Sequence, residues 1–123
     1  MNKQIKQQWI EALRSGEYSQ AQEELRVGDS FCCLGVLCDI YSKSKGANFW
    51  QETERGSGCY YFESLPEQYE YVTLPMNVSE WAGLGGSDNP IVEYGEEEVA
   101  ISDLNDRERL SFNQIAAIIE DQL

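Results

Sequence analysis

The stretch Ser30-Phe31-Cys32-Cys33-Leu34-Gly35-Val36-Leu37-Cys38-Asp39-Ile40-Tyr41 decides the architecture. From Phe31 onward it is apolar nearly all round, and eleven residues is long for a buried strand. The run therefore reads as a helix buried on most faces. A glycine in mid-helix costs about 1 kcal/mol relative to alanine. Gly35 is expected where another backbone must pack closely against this helix.

Upstream, Ile5, Trp9, Ile10 and Leu13 form one apolar stripe, so residues 2–14 read as an amphipathic helix with Gly16 as its stop. Residues 17–29 are polar and poorly patterned, an extended or irregular connection. Downstream, residues 42–46 read as a polar turn. Residues 49–53 and 59–64 read as strands around the hairpin signal Arg55-Gly56-Ser57-Gly58, and residues 69–74 as a third strand. Asn77-Val78-Ser79-Glu80 has the form of an N-cap followed three residues later by Glu, opening a short helix that Gly85-Gly86 would stop. Residues 91–94 and 99–101 flank Gly95-Glu96-Glu97-Glu98 as another hairpin. Residues 102–106 suit one helical turn. Ser111-Phe112-Asn113-Gln114 is a capping box for a last helix with Phe112, Ile115, Ala116, Ile118 and Ile119 inward.

This order implies an α+β fold over residues 1–123. A single small domain is expected, with an antiparallel sheet from two or three hairpins packed against N-terminal, central and C-terminal helices. A chain of 123 residues buries roughly two thirds of its unfolded surface, enough for a core without metal or disulfide staples. Cys32, Cys33 and Cys38 cluster in one helix, which suits buried thiols in a reducing cytoplasm better than disulfides or a zinc ribbon. The polar N-terminus has no targeting pattern. The longest apolar run falls far short of the ~20 residues a membrane span needs.

The formal net charge is −13 and the pI is near 4.2. It is unevenly spread. Residues 1–46 hold six acidic and six basic groups, whereas residues 47–106 hold thirteen acidic groups and one basic group, Arg55. Such acidity opposes direct contact with nucleic acid or anionic membrane, whose phosphates require Lys and Arg.

The chain has no histidine, which removes Ser-His-Asp and Cys-His catalysis and every His metal ligand. It has no P-loop and no dinucleotide fingerprint. No cofactor and no metal site is expected, and the chain reads as a binder rather than an enzyme. Glu93, Glu96, Glu97 and Glu98, with Tyr94 and with Glu52 and Glu54 of the other hairpin, are the candidate partner-binding residues. Carboxylates so grouped either solvate a turn or pair with a basic patch on a partner, and interleaved Tyr and Trp supply interface anchors. Asp103, Asn105, Asp106, Arg107 and Arg109 are the candidate residues of an alternative ligand site. For Asp103 and Asp106, capping a turn or fixing a loop is the competing reading.

Several segments in order carry a resemblance: Trp9-Ile10-Glu11-Ala12-Leu13-Arg14-Ser15-Gly16, the Phe31–Asp39 run, Leu74-Pro75 with Trp81-Ala82-Gly83-Leu84, and Leu104-Asn105-Asp106 with Ser111-Phe112 and Ile115-Ala116. Together they resemble a widespread family of small, uncharacterised bacteriophage proteins. The resemblance implies a phage origin and the cytoplasm of a bacterial host, and it brings no activity with it. Members of that family often carry a Lys- and Gly-rich stretch after the first helix. This chain has Glu17-Tyr18-Ser19-Gln20-Ala21-Gln22-Glu23-Glu24-Leu25-Arg26 there, so a role in anion binding does not carry over.

The expected function is that of a phage accessory protein that binds and inhibits a host protein with a basic surface, a defence factor or an enzyme of nucleic acids, by imitating nucleic-acid charge. The alternative is a small-molecule binder, such as a sponge for a nucleotide signal, built on residues 103–109 and stacking aromatics. A carboxylate- or metal-dependent hydrolase is third.

Overall fold

The computed structural model describes residues 1–53 and 58–123. Helix α1, Lys3–Arg14, begins where the Asn2 side chain accepts the Ile5 N–H at 3.0 Å. It buries the expected stripe of Ile5, Trp9, Ile10 and Leu13. Two-residue strands follow in the polar connection: β1, Ser19–Gln20; β2, Arg26–Val27; and β3, Ser30–Phe31. The buried run then forms α2, Cys33–Ser44, with Cys32 at its N-cap. Residues 33–38 of α2 are wholly buried.

Gly35 is where the backbones meet. A Cβ built there would lie 1.8 Å from the carbonyl oxygen of Leu25. Leu25 is fixed from both sides, since its N–H donates to Tyr71 O at 2.8 Å and its carbonyl accepts the Cys32 N–H at 3.1 Å. The close approach expected from a mid-helix glycine is thus made by the irregular segment before β2.

The remaining strands are β4, Trp50–Glu52; β5, Tyr60–Leu65; β6, Gln68–Glu70; β7, Ile91–Tyr94; and β8, Glu97–Ala100. The remaining helices are α3, Met76–Trp81; α4, Ile101–Asp106; and α5, Phe112–Gln122. The fold is α+β, with helices packed on small sheets. Three sheets are present among the described residues: β1-β3-β2, β4-β5-β6 and β7-β8. The second and third are antiparallel, as expected. The first is mixed: β1 runs parallel to β3, with Ser19 opposite Ser30, because the chain loops out and back through Leu25 between them. Val27 bridges Cys59, and the Gly28 N–H donates to Gly58 O at 2.6 Å, so the first sheet is tied to the second.

Several boundaries differ from the sequence reading. The turn expected at residues 42–46 starts later, because α2 gains a further turn. Ser42 lies inside the helix, donating to Ala47 O and accepting from Phe49 N–H. The third strand is shorter than residues 69–74, since Tyr71 O is already committed to Leu25. Asn77 does not cap α3. Pro75 holds that position, its carbonyl accepting from Val78 and Ser79, and its φ of −60° is what proline dictates. The Asn77 side chain turns sideways to accept from Ser64 Oγ and donate to the Tyr41 hydroxyl. Gly83, at φ +74°, ends the helix ahead of Gly85. The turn signal at residues 55–57 lies outside the described residues, although its flanking strands pair with Trp50 opposite Phe62.

The Ser111 capping box forms in full. Phe112, Ile115, Ala116 and Ile119 are buried, while Ile118 is half-buried. Helices α1 and α5 pack together, with Arg14 paired to Glu120 at 3.2 Å and Lys6 Nζ donating to Glu120 O at 3.0 Å.

Candidate functional site

The β7–β8 hairpin has a two-residue connection, Gly95-Glu96. Gly95 takes φ +67° at the first loop position, a conformation such tight turns need and glycine supplies. Register places Glu93 directly opposite Glu98 and Tyr94 opposite Glu97. Strand alternation puts Val92 and Val99 with Tyr94 and Glu97 on one face, and Ile91 with Glu93 and Glu98 on the other. Val92 is buried, so the first face is anchored to the core. Glu93, Tyr94, Glu96, Glu97 and Glu98 are all exposed. Glu93, Gly95, Glu96, Glu97 and Glu98 border a shallow hollow of about 160 Å³. Like charges directly opposite on a sheet destabilise it, so Glu93 and Glu98 do not serve the fold. The hairpin is held instead by its backbone, with the Gln122 amide exchanging hydrogen bonds with Glu93 N–H and C=O at 2.7 and 2.8 Å.

Glu52 lies in another sheet, exposed on β4, with Gly58 N–H 3.5 Å from Oε1. Glu54 lies outside the described residues. The ion pairs among the described residues are Arg14–Glu120, Arg26–Asp29 and Lys43–Asp39, so no cation neutralises the β7–β8 carboxylates there.

The residues of the alternative ligand site separate into two groups. Asn105 is 0% exposed. Its Oδ1 accepts from Gln20 Nε2 at 2.9 Å and from Cys33 N–H at 3.2 Å. Its Nδ2 donates to Ala21 O and to Asp106 Oδ1, both at 2.8 Å. These four bonds use all the amide's capacity. Asp106 Oδ1 also accepts Glu23 N–H at 2.9 Å, which fixes the 17–25 loop against α4 and supports Glu23 at φ +72°. Asp103 is half-buried in the first turn of α4. Arg107 and Arg109 are exposed, with Arg109 at φ +53°.

A second polar cluster escaped the sequence reading. Asp39 Oδ2 accepts from the Tyr18 hydroxyl at 2.5 Å and from Lys43 Nζ at 3.1 Å, and Oδ1 accepts from Trp50 Nε1 at 3.1 Å. Burial and then the bond to Asp39 push the Tyr18 phenol above its ordinary range. Hydrogen bonds to Tyr18 and Asp39 raise Lys43. The available signals were a lone carboxylate in an apolar helix and Lys43 one helical turn beyond it. The cluster clamps residues 17–25 and β4 onto α2.

The thiols are all free. Burial pushes Cys32 up to about 12, and Cys33 and Cys38 well above the ordinary thiol range. Their thiolate forms are therefore suppressed at neutral pH. Among the described residues no group of three or more His, Cys, Asp or Glu side chains is placed to hold a metal ion. No helix among them is long and apolar enough to cross a membrane.

One family model matches residues 1–123, the whole chain. The chain belongs to the family described as a domain of unknown function (DUF8296). No curated protein and no solved structure matches this DUF8296 member.

Proposed function

We propose that this DUF8296 member is a non-enzymatic phage accessory protein that binds and inhibits a host protein with a basic surface, in the bacterial cytoplasm. Its contact is the β7–β8 hairpin, whose carboxylates compete with nucleic-acid phosphates for Lys and Arg side chains. The observation that carries this reading is the exposure of Glu93, Glu96, Glu97 and Glu98 on one hairpin with no cation against them among the described residues. Charge of this kind raises association rates and weakens with salt.

The experiment compares host proteins retained by the intact protein and by a variant carrying Glu96→Lys, Glu97→Lys and Glu98→Lys, at low and high salt. A nucleic-acid-binding or defence protein should be retained by the first, lost from the second and released by salt. Identical capture by both proteins at both salt concentrations would sink the proposal.

A further inference from the structure

A different surface carries aromatic rings. On the outer face of the β4–β5–β6 sheet, Tyr61, Tyr69 and Tyr71 form a cluster with ring centroids 5.3, 5.6 and 5.8 Å apart. Alternation places Glu63 on the same face of β5 as Tyr61, and register sets it directly opposite Tyr69. The Glu63 carboxylate is held there by the Glu67 N–H at 3.2 Å. Tyr69 is 51% exposed, and Met76, across the edge of β6, is 59% exposed. Between them lies an open hollow of about 490 Å³, with Glu67 and Glu70 also in its lining.

Elsewhere the chain fills this combination of ring and carboxylate with its own cations. Lys43 Nζ sits 5.3 Å from the centre of the Tyr18 ring and 3.1 Å from Asp39. The Arg26 guanidinium sits 3.9 Å over Tyr60 and 3.5 Å from Asp29. On the outer face the rings and carboxylates are present, but among the described residues no cation lies over Tyr61 or Tyr69.

We propose that this face docks a partner protein through an arginine side chain, its guanidinium stacked on Tyr69 and paired with Glu63. Arginine fits better than lysine because its planar fork both stacks on a ring and bridges a carboxylate. Met76 offers a soft apolar flank for the arginine stem. The proposal rests on the reading of this protein as a binder of basic proteins, and assigns the anchor to a sheet other than the acidic hairpin.

The test follows backbone amide NMR signals of the intact protein while hexa-arginine or hexa-lysine peptide is added. The proteins compared are the parent, Tyr69→Ala, Tyr69→Phe and the triple Glu96, Glu97, Glu98 to Lys variant. The arginine peptide should shift β5 and β6 signals and bind more tightly than the lysine peptide. Tyr69→Ala should weaken the arginine peptide about three- to fivefold, while Tyr69→Phe, which keeps a ring, should stay within about twofold. Shifts confined to β7–β8, with Tyr69→Ala binding like the parent, would overturn the arginine anchor and leave the hairpin reading standing. Absence of binding by both peptides would overturn both.

Discussion

Around α2, the Asp39 carboxylate is engaged by Tyr18, Lys43 and Trp50, and Asp106 by Asn105 and a backbone N–H. Along β7–β8, Glu93, Glu96, Glu97 and Glu98 stand in water, two of them face to face across the strands. The same chemical group is structural in the first region and, among the described residues, uncompensated in the second. Charges that hold a fold are lost only with the fold, whereas charges that oppose it can be changed with the core intact. The difference separates residues to alter when testing stability from residues to alter when testing binding.

The sharpest way to break the contrast is Gly35→Ala. Its methyl would meet the Leu25 carbonyl at 1.8 Å, and Leu25 is pinned by two backbone hydrogen bonds. Urea denaturation should show a loss of about 3 kcal/mol or more, at the upper end of overpacking costs. A midpoint equal to that of the parent would mean that the 17–25 segment is not seated as described. Next is Asn105→Ala, which strands Cys33 N–H and Ala21 O and leaves Gln20 Nε2 with Leu110 O alone, and should cost about 2–3 kcal/mol.

Tyr18→Phe removes the bond the hydroxyl donates to Asp39 and the one it accepts from Lys43 Nζ, and should cost about 1–2 kcal/mol. Its pH signature has a definite sign. Tyr18 and Lys43 are both raised in the folded state, from ordinary values of 10.0 and 10.5. Their contribution is therefore complete at neutral pH and is lost as pH climbs above about 10 through the folded values. Ultraviolet titration of the seven tyrosines should contain a late-ionising phenol that Tyr18→Phe removes. The smallest effect is expected at Glu98→Lys. Replacing a like-charge pair with an opposite one should add a few tenths of a kcal/mol at low salt and nothing at high salt. A destabilisation there would show that Glu98 belongs with the structural acids after all.

Much of this contrast was legible in the residues. The stripe in α1, the buried run of α2, the capping box at Ser111 and the Gly95 hairpin all declare themselves over a few residues, through periodicity or turn chemistry. The requirement at Gly35 was legible too, although the partner it meets was not. What escaped was set by contacts distant in sequence. The strands β1, β2 and β3 are too short to show alternation, and Asn105, which ties Gln20 and Ala21 to Cys33, lies more than seventy residues further along the chain. Asn77 has the chemistry of a cap, but Pro75 reaches the position first and Ser64 and Tyr41 claim the amide. The acidic hairpin was found as a hairpin; that its carboxylates divide between two faces came only from the register.

The packing of α1 against α5 also has a consequence for synthesis. During translation the first helix emerges long before the last. At roughly 5–20 residues per second the interval lasts seconds, far longer than the microseconds a helix needs to form. Trp9 can reach its α2 partner, the Cys33 carbonyl, first. The flank of α1 that meets α5 must wait, uncovered, until the final turn of α5 has left the ribosome. A nascent chain arrested before Phe112 should therefore recruit chaperones through α1, and release them when elongation resumes.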